Sequence, residues 1–414
     1  MKLKLITDDV TIPHRKLLSV TVLVSSTLAW FFVFYYYFND IFVTFTNDLF
    51  WVSLSNVLFL VFIAVSAIVG SMIAEKVDRR KFLVTWTLLG ILTTTLLLFF
   101  HGAAFSVISS ILLGISFGLG LPSSWSYLAD STTVEERARV SGIVILTTFI
   151  LVIMAVIAGS ALGIGLAGII IVCITIKIAG SLSFFLDSCH REKTEAKPWR
   201  EILGYRDFTF YLLAYILFNA ANGLVTVVWN QIQLTPDYSW AFEAGTALHY
   251  VGVGAFALIA GLTADRIGRK KPIIVALVLL GVGYAFVGLA TSPPTLFIHM
   301  LISGFAWGFL MVVYLAVPGD LSFAGSRERF YALGAVIPII IYAGFTGVAS
   351  LLSVINPPIS LPYFSSILSI VLFVSVLPVL YASETLPDAK VRARKFKEYA
   401  EKIGKIVKES QSHE

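Results

Sequence analysis

Residues 75–81 read EKVDRRK, and residues 265–271 read DRIGRKK. These two charged stretches lie 190 residues apart, and each separates two long apolar runs. The same offset relates charged residues outside the stretches as well, since four anchor positions repeat: 75 and 265, 79 and 269, 130 and 320, and 137 and 327. The repeat predicts two halves with the same order of helices and loops.

The composition of the chain excludes a soluble protein. Of the 414 residues, 57% are hydrophobic and 13% are charged, whereas soluble domains are about 45–50% apolar and about 25% charged. This indicates an integral membrane protein. The two cysteines form neither a disulfide scaffold nor a metal-ligand cluster. Because the sequence has no phosphate loop or nucleophile arrangement either, we expect no enzyme activity, no metal and no cofactor.

Charge-poor runs give the number of membrane spans. Eight such runs follow one another: Leu17–Asn39, Leu49–Ala74, Phe82–Ala129, Val140–Leu186, Phe208–Pro236, Ala244–Ala264, Pro272–Gly319 and Phe330–Ser383. A helix needs about 20 residues to cross the bilayer, so the four longest runs hold two helices each. Turns are expected at His101-Gly102, within 159–168, at 292–294 and at 356–358.

The runs therefore predict an all-α membrane protein with twelve transmembrane helices in two pseudo-symmetric six-helix bundles. The alternation of apolar and polar residues that a barrel requires is missing. The expected organisation is an N-terminal bundle at 1–186, a linker at 187–207, a C-terminal bundle at 208–383 and a basic tail at 384–414.

The positions of Lys and Arg predict the orientation. All but one of the 30 basic residues fall on one side of the predicted membrane, and the exception is Lys177. The positive-inside rule then places both termini in the cytoplasm of a multi-pass cell-membrane protein. The pI of about 9.0 reflects this topology, so we do not expect a nucleic-acid partner.

The stretch Gly261–Lys270 reads GLTADRIGRK and resembles the G-x-x-x-D-R-x-G-R-K loop of the major facilitator superfamily. The first-half copy differs from this pattern, because Ser71 replaces the first glycine and Asp78 replaces the second. A carboxylate followed by Ser or Thr, at Asp187 and Glu384, is similar to the sugar-porter and metabolite:proton symporter branches. The resemblance implies a secondary transporter that works by alternating access.

The same resemblance implies a gating network in the loops. Contacts that exist in only one of two states shift the equilibrium between those states. One expected cluster consists of Asp265, Arg266, Arg269, Asp320, Arg327 and Glu384. The other consists of Glu75, Arg79, Asp130, Arg137 and Asp187.

The family architecture places the substrate between the halves, lined mainly by helices 1, 4, 7 and 10. The candidate binding residues are Asn219, Asn222, Tyr36, Asn39, Trp30, Trp307, Tyr314 and Tyr342. Asn219 and Asn222 are the strongest of these, since amides are costly in the membrane and their spacing of three puts them on one helical face. An interhelical hydrogen bond is the alternative role for the pair. This nearly uncharged lining favours a neutral polyhydroxy solute.

Four further residues are candidates for coupling or for an intramembrane charge: Lys177, Asp40, Glu243 and His249. Lys177 is a site for an anion or a partner for a carboxylate, or it extends its ammonium towards an interface. Proton coupling and facilitated diffusion both stay open, because the acidic residue that proton-coupled relatives often carry in helix 1 is missing here.

The leading hypothesis is thus a monomeric transporter of a sugar or another small polar metabolite, with the proton as a candidate co-substrate. The alternatives are an organic-anion transporter that uses Lys177, a drug exporter, and a transporter-like receptor that binds solute without moving it.

Overall fold

The structure, a computed structural model, describes residues 11–161, 163–189, 195–233, 236–289, 292–355 and 360–386. Within these ranges the regular structure consists of helices, and no strand occurs. Most of the predicted tail and the predicted turn at 356–358 lie outside the described residues.

The first half contains α1 (His14–Tyr36), α2 (Phe38–Val43), α3 (Leu49–Ala74), α4 (Arg79–Leu96), α5 (Ala103–Gly118), α6 (Leu121–Ser131), α7 (Arg137–Ala161), α8 (Gly165–Ser181) and α9 (Ser183–Leu186). The second half contains α10 (Trp199–Gly204), α11 (Arg206–Gln233), α12 (Pro236–Ile267), α13 (Lys270–Leu289), α14 (Pro293–Leu321), α15 (Arg327–Ile355) and α16 (Leu361–Tyr381).

The described helices match the predicted order of twelve spans. Eleven segments are long and apolar enough to cross a membrane, and one of them joins α5 and α6. The twelfth span is α4, which has only 18 residues and begins with three basic ones, at 79–81. The fold is the predicted all-α arrangement of twelve helices in two bundles.

Turns form where the sequence supplies the necessary residues. Gly102 has φ 114°, a conformation that side-chain-bearing residues rarely adopt, and it reverses the chain between α4 and α5 as predicted. Ser292 and Thr295 form a capping box at the start of α14, which satisfies backbone N–H groups that the helix leaves unpaired.

Two helix pairs carry most of the contact between the halves. α7 packs against α12, and α3 packs against α15. In contrast, α4 lies against α8, and α13 lies against α16, away from the interface between the halves. The interface therefore runs through the molecule between the two bundles, and a cavity lies within it.

Candidate functional site

The cavity between the halves has a volume of about 340 Å³, which is at the lower end of the range for small-molecule sites, about 300–1,000 Å³. Its wall is contributed by α1, α3, α5, α6 and α7 of the first half and by α11, α12, α14 and α15 of the second. None of its described lining residues is Lys, Arg, Asp or Glu. The space therefore suits a small, uncharged molecule.

Aromatic rings form most of the wall. Tyr215 and Tyr314 stack with their ring centroids 4.0 Å apart. The hydroxyl groups of Tyr35 and Tyr342 lie 3.0 Å apart and form a hydrogen bond between the two halves. Flat faces with hydroxyl groups at their edges can pack against an apolar ring face and still bond polar substituents.

Two amides supply directional bonding in this aromatic wall. Asn219 Nδ2 donates to the Tyr215 carbonyl at 2.8 Å, so one of its two N–H bonds is used within its own helix. The Asn222 amide also lines the cavity, and it makes no hydrogen bond to other described residues. The hydroxyl of Tyr314 and Nε1 of Trp125 are likewise buried without a partner. Such groups bond a bound solute or water, because a buried polar group without a partner is costly.

The structure brings five of the eight predicted binding residues to the cavity: Asn219, Asn222, Trp307, Tyr314 and Tyr342. It places the other three elsewhere. Trp30 is fully buried and donates to Thr94 Oγ1 at 3.1 Å, and Tyr36 is 43% exposed. Asn39 is exposed on α2.

Sequence reasoning missed two of the tyrosines in the wall, Tyr215 and Tyr331. Each lies four residues from a residue that was singled out, because Tyr215 precedes Asn219 and Tyr331 follows Arg327. A spacing of four places two side chains on the same helical face, so the helical periodicity could have identified both tyrosines.

Lys177 is 2% exposed and lies inside the first bundle. Its Nζ is 4.6 Å from the ring centre of Trp30, 5.0 Å from that of Trp86 and 5.8 Å from that of Phe117. Gly90 leaves room for it, since a Cβ there would be 3.2 Å from Nζ. The ammonium is held by aromatic faces and does not extend to an interface, and Lys177 is not among the residues that line the cavity.

The other three coupling candidates separate. Asp40 and Glu243 are exposed, and neither lines the cavity. His249 lines it.

An ion-pair network joins the halves on the side where α3 ends and α4 begins, which we call the basic face. Its centre is the buried carboxylate of Asp320. Arg269 Nε lies 2.9 Å from Asp320 Oδ2, and Arg137 Nη1 of the other half lies 2.5 Å from Oδ1. Arg269 also pairs with Asp265 at 2.8 Å. Burial alone would lower the pKa of the Arg269 guanidinium, but Asp320 and Asp265 outweigh it and raise the pKa.

Asp265 itself connects the halves through backbone groups. Its two oxygens accept from the N–H groups of Ala138 at 3.2 Å and Arg139 at 2.8 Å. These residues begin α7, so the carboxylate lies at the N-terminal, partly positive end of a helix in the opposite half.

The same network recurs at the offset of 190. Arg79 Nη2 lies 2.6 Å from Asp130, as Arg269 does from Asp320. Arg327 pairs with Asp130, and Arg329 Nε lies 2.6 Å from Glu75 Oε1. The structure thus has two related clusters on one face.

The composition of the two predicted clusters was wrong in one respect. Arg137 pairs with Asp320 and Arg327 pairs with Asp130, so each of these arginines belongs to the cluster of the other half. The sequence shows the repeat but not the partner, because a 190-residue offset is the same whether pairs form within or between halves.

Three further members of the predicted network do not make the expected ion pairs. Arg266 is exposed and has no ion pair within the described part of the chain. Glu384 accepts from the backbone N–H groups of Arg269 and Lys270 at 2.7 and 3.1 Å. Asp187 accepts from the Tyr127 hydroxyl at 2.7 Å and from the Cys189 N–H at 3.0 Å. Both carboxylates brace the ends of helices instead of pairing with arginines.

The network also contains residues that the sequence did not single out, among them Arg139, Glu328 and Arg329. Arg79 Nη2 donates to Glu328 of the other half at 2.9 Å. Arg139 and Arg329 are themselves 190 residues apart, so the repeat could have indicated both.

Comparison with known proteins follows from this architecture. The sequence profile of the Major Facilitator Superfamily matches residues 17–246, more than half of the chain. The chain belongs to the Major Facilitator Superfamily. The profile described as "Sugar (and other) transporter" matches residues 206–353. Searching the curated proteins gives no match. As a member of this family, the protein is a multi-pass membrane transporter and not an enzyme.

Three solved structures share the fold at low sequence identity. The crystal structure of the human organic anion transporter MFSD10 (TETRAN) has a TM-score of 0.71 at 14% identity, with 88% of this chain and 99% of that chain covered. The proton:xylose symporter XylE, bound to 6-bromo-6-deoxy-D-glucose, has a TM-score of 0.70 at 13% identity, covering 90% and 96%. The E. coli fucose:proton symporter FucP has a TM-score of 0.70 at 12% identity, covering 89% and 100%.

Proposed function

We propose that this transporter carries a small neutral polyhydroxy solute, a monosaccharide or a polar metabolite of similar size, across the cell membrane by alternating access. The observation that carries the proposal is the cavity wall, which combines stacked aromatic rings and two asparagine amides with no charged side chain. Amides bond hydroxyl groups in both directions, as donor and as acceptor, and aromatic faces pack against the apolar face of a sugar ring.

The proposed movement follows from the two bundles. Residues 1–186 and 208–383 are the units that rock against each other, and the clusters on the basic face hold them together in the present state. The basic face is cytoplasmic in this proposal, because of the positive-inside distribution of Lys and Arg. We propose that the protein acts as a monomer, since the cavity and both clusters are formed within one chain.

The direct test is solute exchange in proteoliposomes with a panel of radiolabelled neutral monosaccharides and organic anions. We expect exchange of at least one monosaccharide and of none of the anions. Exchange restricted to anions would contradict the proposal.

Asn222→Leu tests the amide in the wall. Leucine has a similar volume but cannot bond a hydroxyl group, so a bound sugar would keep a buried polar group without a partner. Such a loss costs about 1–3 kcal/mol, and we expect the half-saturating concentration of the transported monosaccharide to rise about tenfold or more. The matched control is Asn39→Leu, at an exposed position outside the cavity, which should leave exchange unchanged. Equal effects of the two substitutions would contradict a direct contact.

Lys177→Met separates the neutral-solute proposal from the organic-anion alternative, which the buried ammonium favours. Replacement of a buried charge by an apolar side chain of similar volume is often neutral or stabilising. We expect monosaccharide exchange close to the wild-type rate and unfolding at the same or a higher temperature. A folded variant that loses transport would instead support a role for the ammonium in binding.

A further inference from the structure

One group in the cavity wall differs chemically from all the others. The titratable side chains among the described lining residues are six tyrosines and His249. Only the imidazole of His249 ordinarily changes its charge close to neutral pH. Asp40 and Glu243, the carboxylates considered above, are exposed away from the wall.

The imidazole of His249 has no partner that would hold it in one protonation state. Its Nδ1 is buried and makes no hydrogen bond within the described residues. Its ring centre lies 5.7 Å from that of Tyr250 and 6.3 Å from that of Trp307, to which it is nearly perpendicular. Aromatic faces at such distances attract a cation, so they provide a partner for the imidazolium and not for a neutral ring.

A second imidazole lies behind the first. His299 on α14 is fully buried, its Nδ1 is beside the backbone of Gly283, and its Nε2 has no hydrogen-bond partner in the described structure. Gly304 packs against the His249 backbone and Gly245 packs against Met300, which places His299 about one helical turn from His249 along the paired helices α12 and α14.

The groups around the two imidazoles carry no competing charge. Tyr284 of α13 lies 4.9 Å from the His299 ring, and Trp229 of α11 lies 5.2 Å from it. The other helices that pack here present aromatic or tyrosine side chains to the cavity: Phe149 of α7, Tyr215 of α11, Tyr342 of α15 and Trp125 of α6. A proton on this pair is therefore neither fixed by a carboxylate nor repelled by a lysine or arginine.

We propose that His249 and His299 form the proton-binding site of this transporter, with His249 as the member that meets the cavity. This inference rests on the proposed function and adds the coupling ion to it. A proton from the open side binds the lone pair of His249 Nδ1 and gives an imidazolium, and its N–H donates to a hydroxyl oxygen of the solute. After the change of state, solute and proton leave on the opposite side and the neutral ring is restored.

Binding of each partner then strengthens binding of the other, because a coupling free energy acts equally in both directions. With one proton per solute, a gradient of one pH unit corresponds to about tenfold accumulation. His299 is a positioning residue in this site, as its free Nε2 offers a second acceptor next to the first imidazole.

The test uses the full-length protein in proteoliposomes with radiolabelled D-xylose and L-fucose as probes. Wild type should accumulate a probe about tenfold per unit of imposed pH gradient. His249→Asn should lose this accumulation but keep exchange of the probe between equal pH values, since exchange requires no net proton movement. His299→Asn should shift the pH at which accumulation is half-maximal and also keep exchange. The control is His101→Asn, at an exposed position, which should behave like wild type.

A second measurement does not depend on transport. Nitrogen NMR of protein labelled with ¹⁵N-histidine, in the absence of solute, should show a resonance that titrates within about pH 5 to 8 and that His249→Asn removes. Accumulation that persists in His249→Asn, or the absence of any such resonance, would overturn the proton site. Absence of exchange of either sugar, with the titration present, would instead contradict the proposed substrate class and leave the proton site standing.

Discussion

Asp320→Asn should open the basic face of the transporter. The Asp320 side chain is fully buried and lies between Arg137 of the first half and Arg269 of the second. Asparagine keeps the shape but removes the charge, so both guanidinium groups lose their shared counter-charge. Removal of one partner of a buried pair typically costs about 3–5 kcal/mol. Because the Arg137 pair joins the two halves, this loss falls on the closed state.

The expected result is a shift of the equilibrium towards the state that is open at the basic face by on the order of 100-fold, which corresponds to about 3 kcal/mol. Spin labels on Val77→Cys and Ile267→Cys would measure it by pulsed electron resonance, because both positions are exposed beside the network and the native Cys173 and Cys189 are buried. The distance between the labels should increase, and net transport should fall because closure becomes rare.

Arg266→Gln is the matched control for this experiment. Arg266 is next to Asp265 in sequence, but it is exposed. Its replacement also changes the charge of the face by one, so it tests whether position or net charge matters. Identical distance distributions for wild type and Asp320→Asn would contradict the closing role of the network.

The predicted fold agrees with the structure because its causes are local and repetitive. Apolar runs of span length, such as Leu49–Ala74, must form helices in the bilayer, where every backbone group needs an internal partner. The repeat at 190 residues then requires two related bundles. These two observations determine the number of helices and their grouping without any knowledge of side-chain contacts.

The site was less predictable, because it depends on which faces of the helices meet. Asn219 and Asn222 were found from their cost in a membrane, and both line the cavity. Trp30 lies on a helix that lines the cavity, but it points into its own bundle and packs on Lys177. The exchange of Arg137 and Arg327 between the clusters has the same origin, as the sequence repeat does not say which half each side chain faces.

The departure of the first-half loop from the family pattern has a physical consequence. Gly261 in α12 packs against α7 so closely that a Cβ would lie 2.5 Å from the carbonyl oxygen of Ala138. This approach lets Asp265 reach the N–H groups at the start of α7. Ser71 occupies the corresponding position in α3 and carries a Cβ. Correspondingly, Glu75 bonds the long guanidinium of Arg329, which spans a wider gap than a backbone N–H can.

Gly261→Ala should therefore weaken closure, even though alanine favours a helix by about 1 kcal/mol over glycine. The added Cβ must displace α7, and overpacking of this kind costs about 1–3 kcal/mol. The displacement also removes Asp265 from its two backbone donors. We expect the labels at 77 and 267 to report a shift of about 5- to 150-fold towards the open state, with reduced thermal stability of the closed form.

Ser71→Ala is the matched control, because a Cβ is already present and the Ser71 hydroxyl bonds only the Ile68 carbonyl within its own helix. It should leave the label distances unchanged. If Gly261→Ala also leaves them unchanged, close approach of α12 to α7 is not what positions Asp265. If only Gly261→Ala opens the face, then the cluster that matches the family pattern depends on helix contact, while the cluster that departs from it depends on the length of an arginine side chain. The two halves would then differ in how they hold the same gate closed.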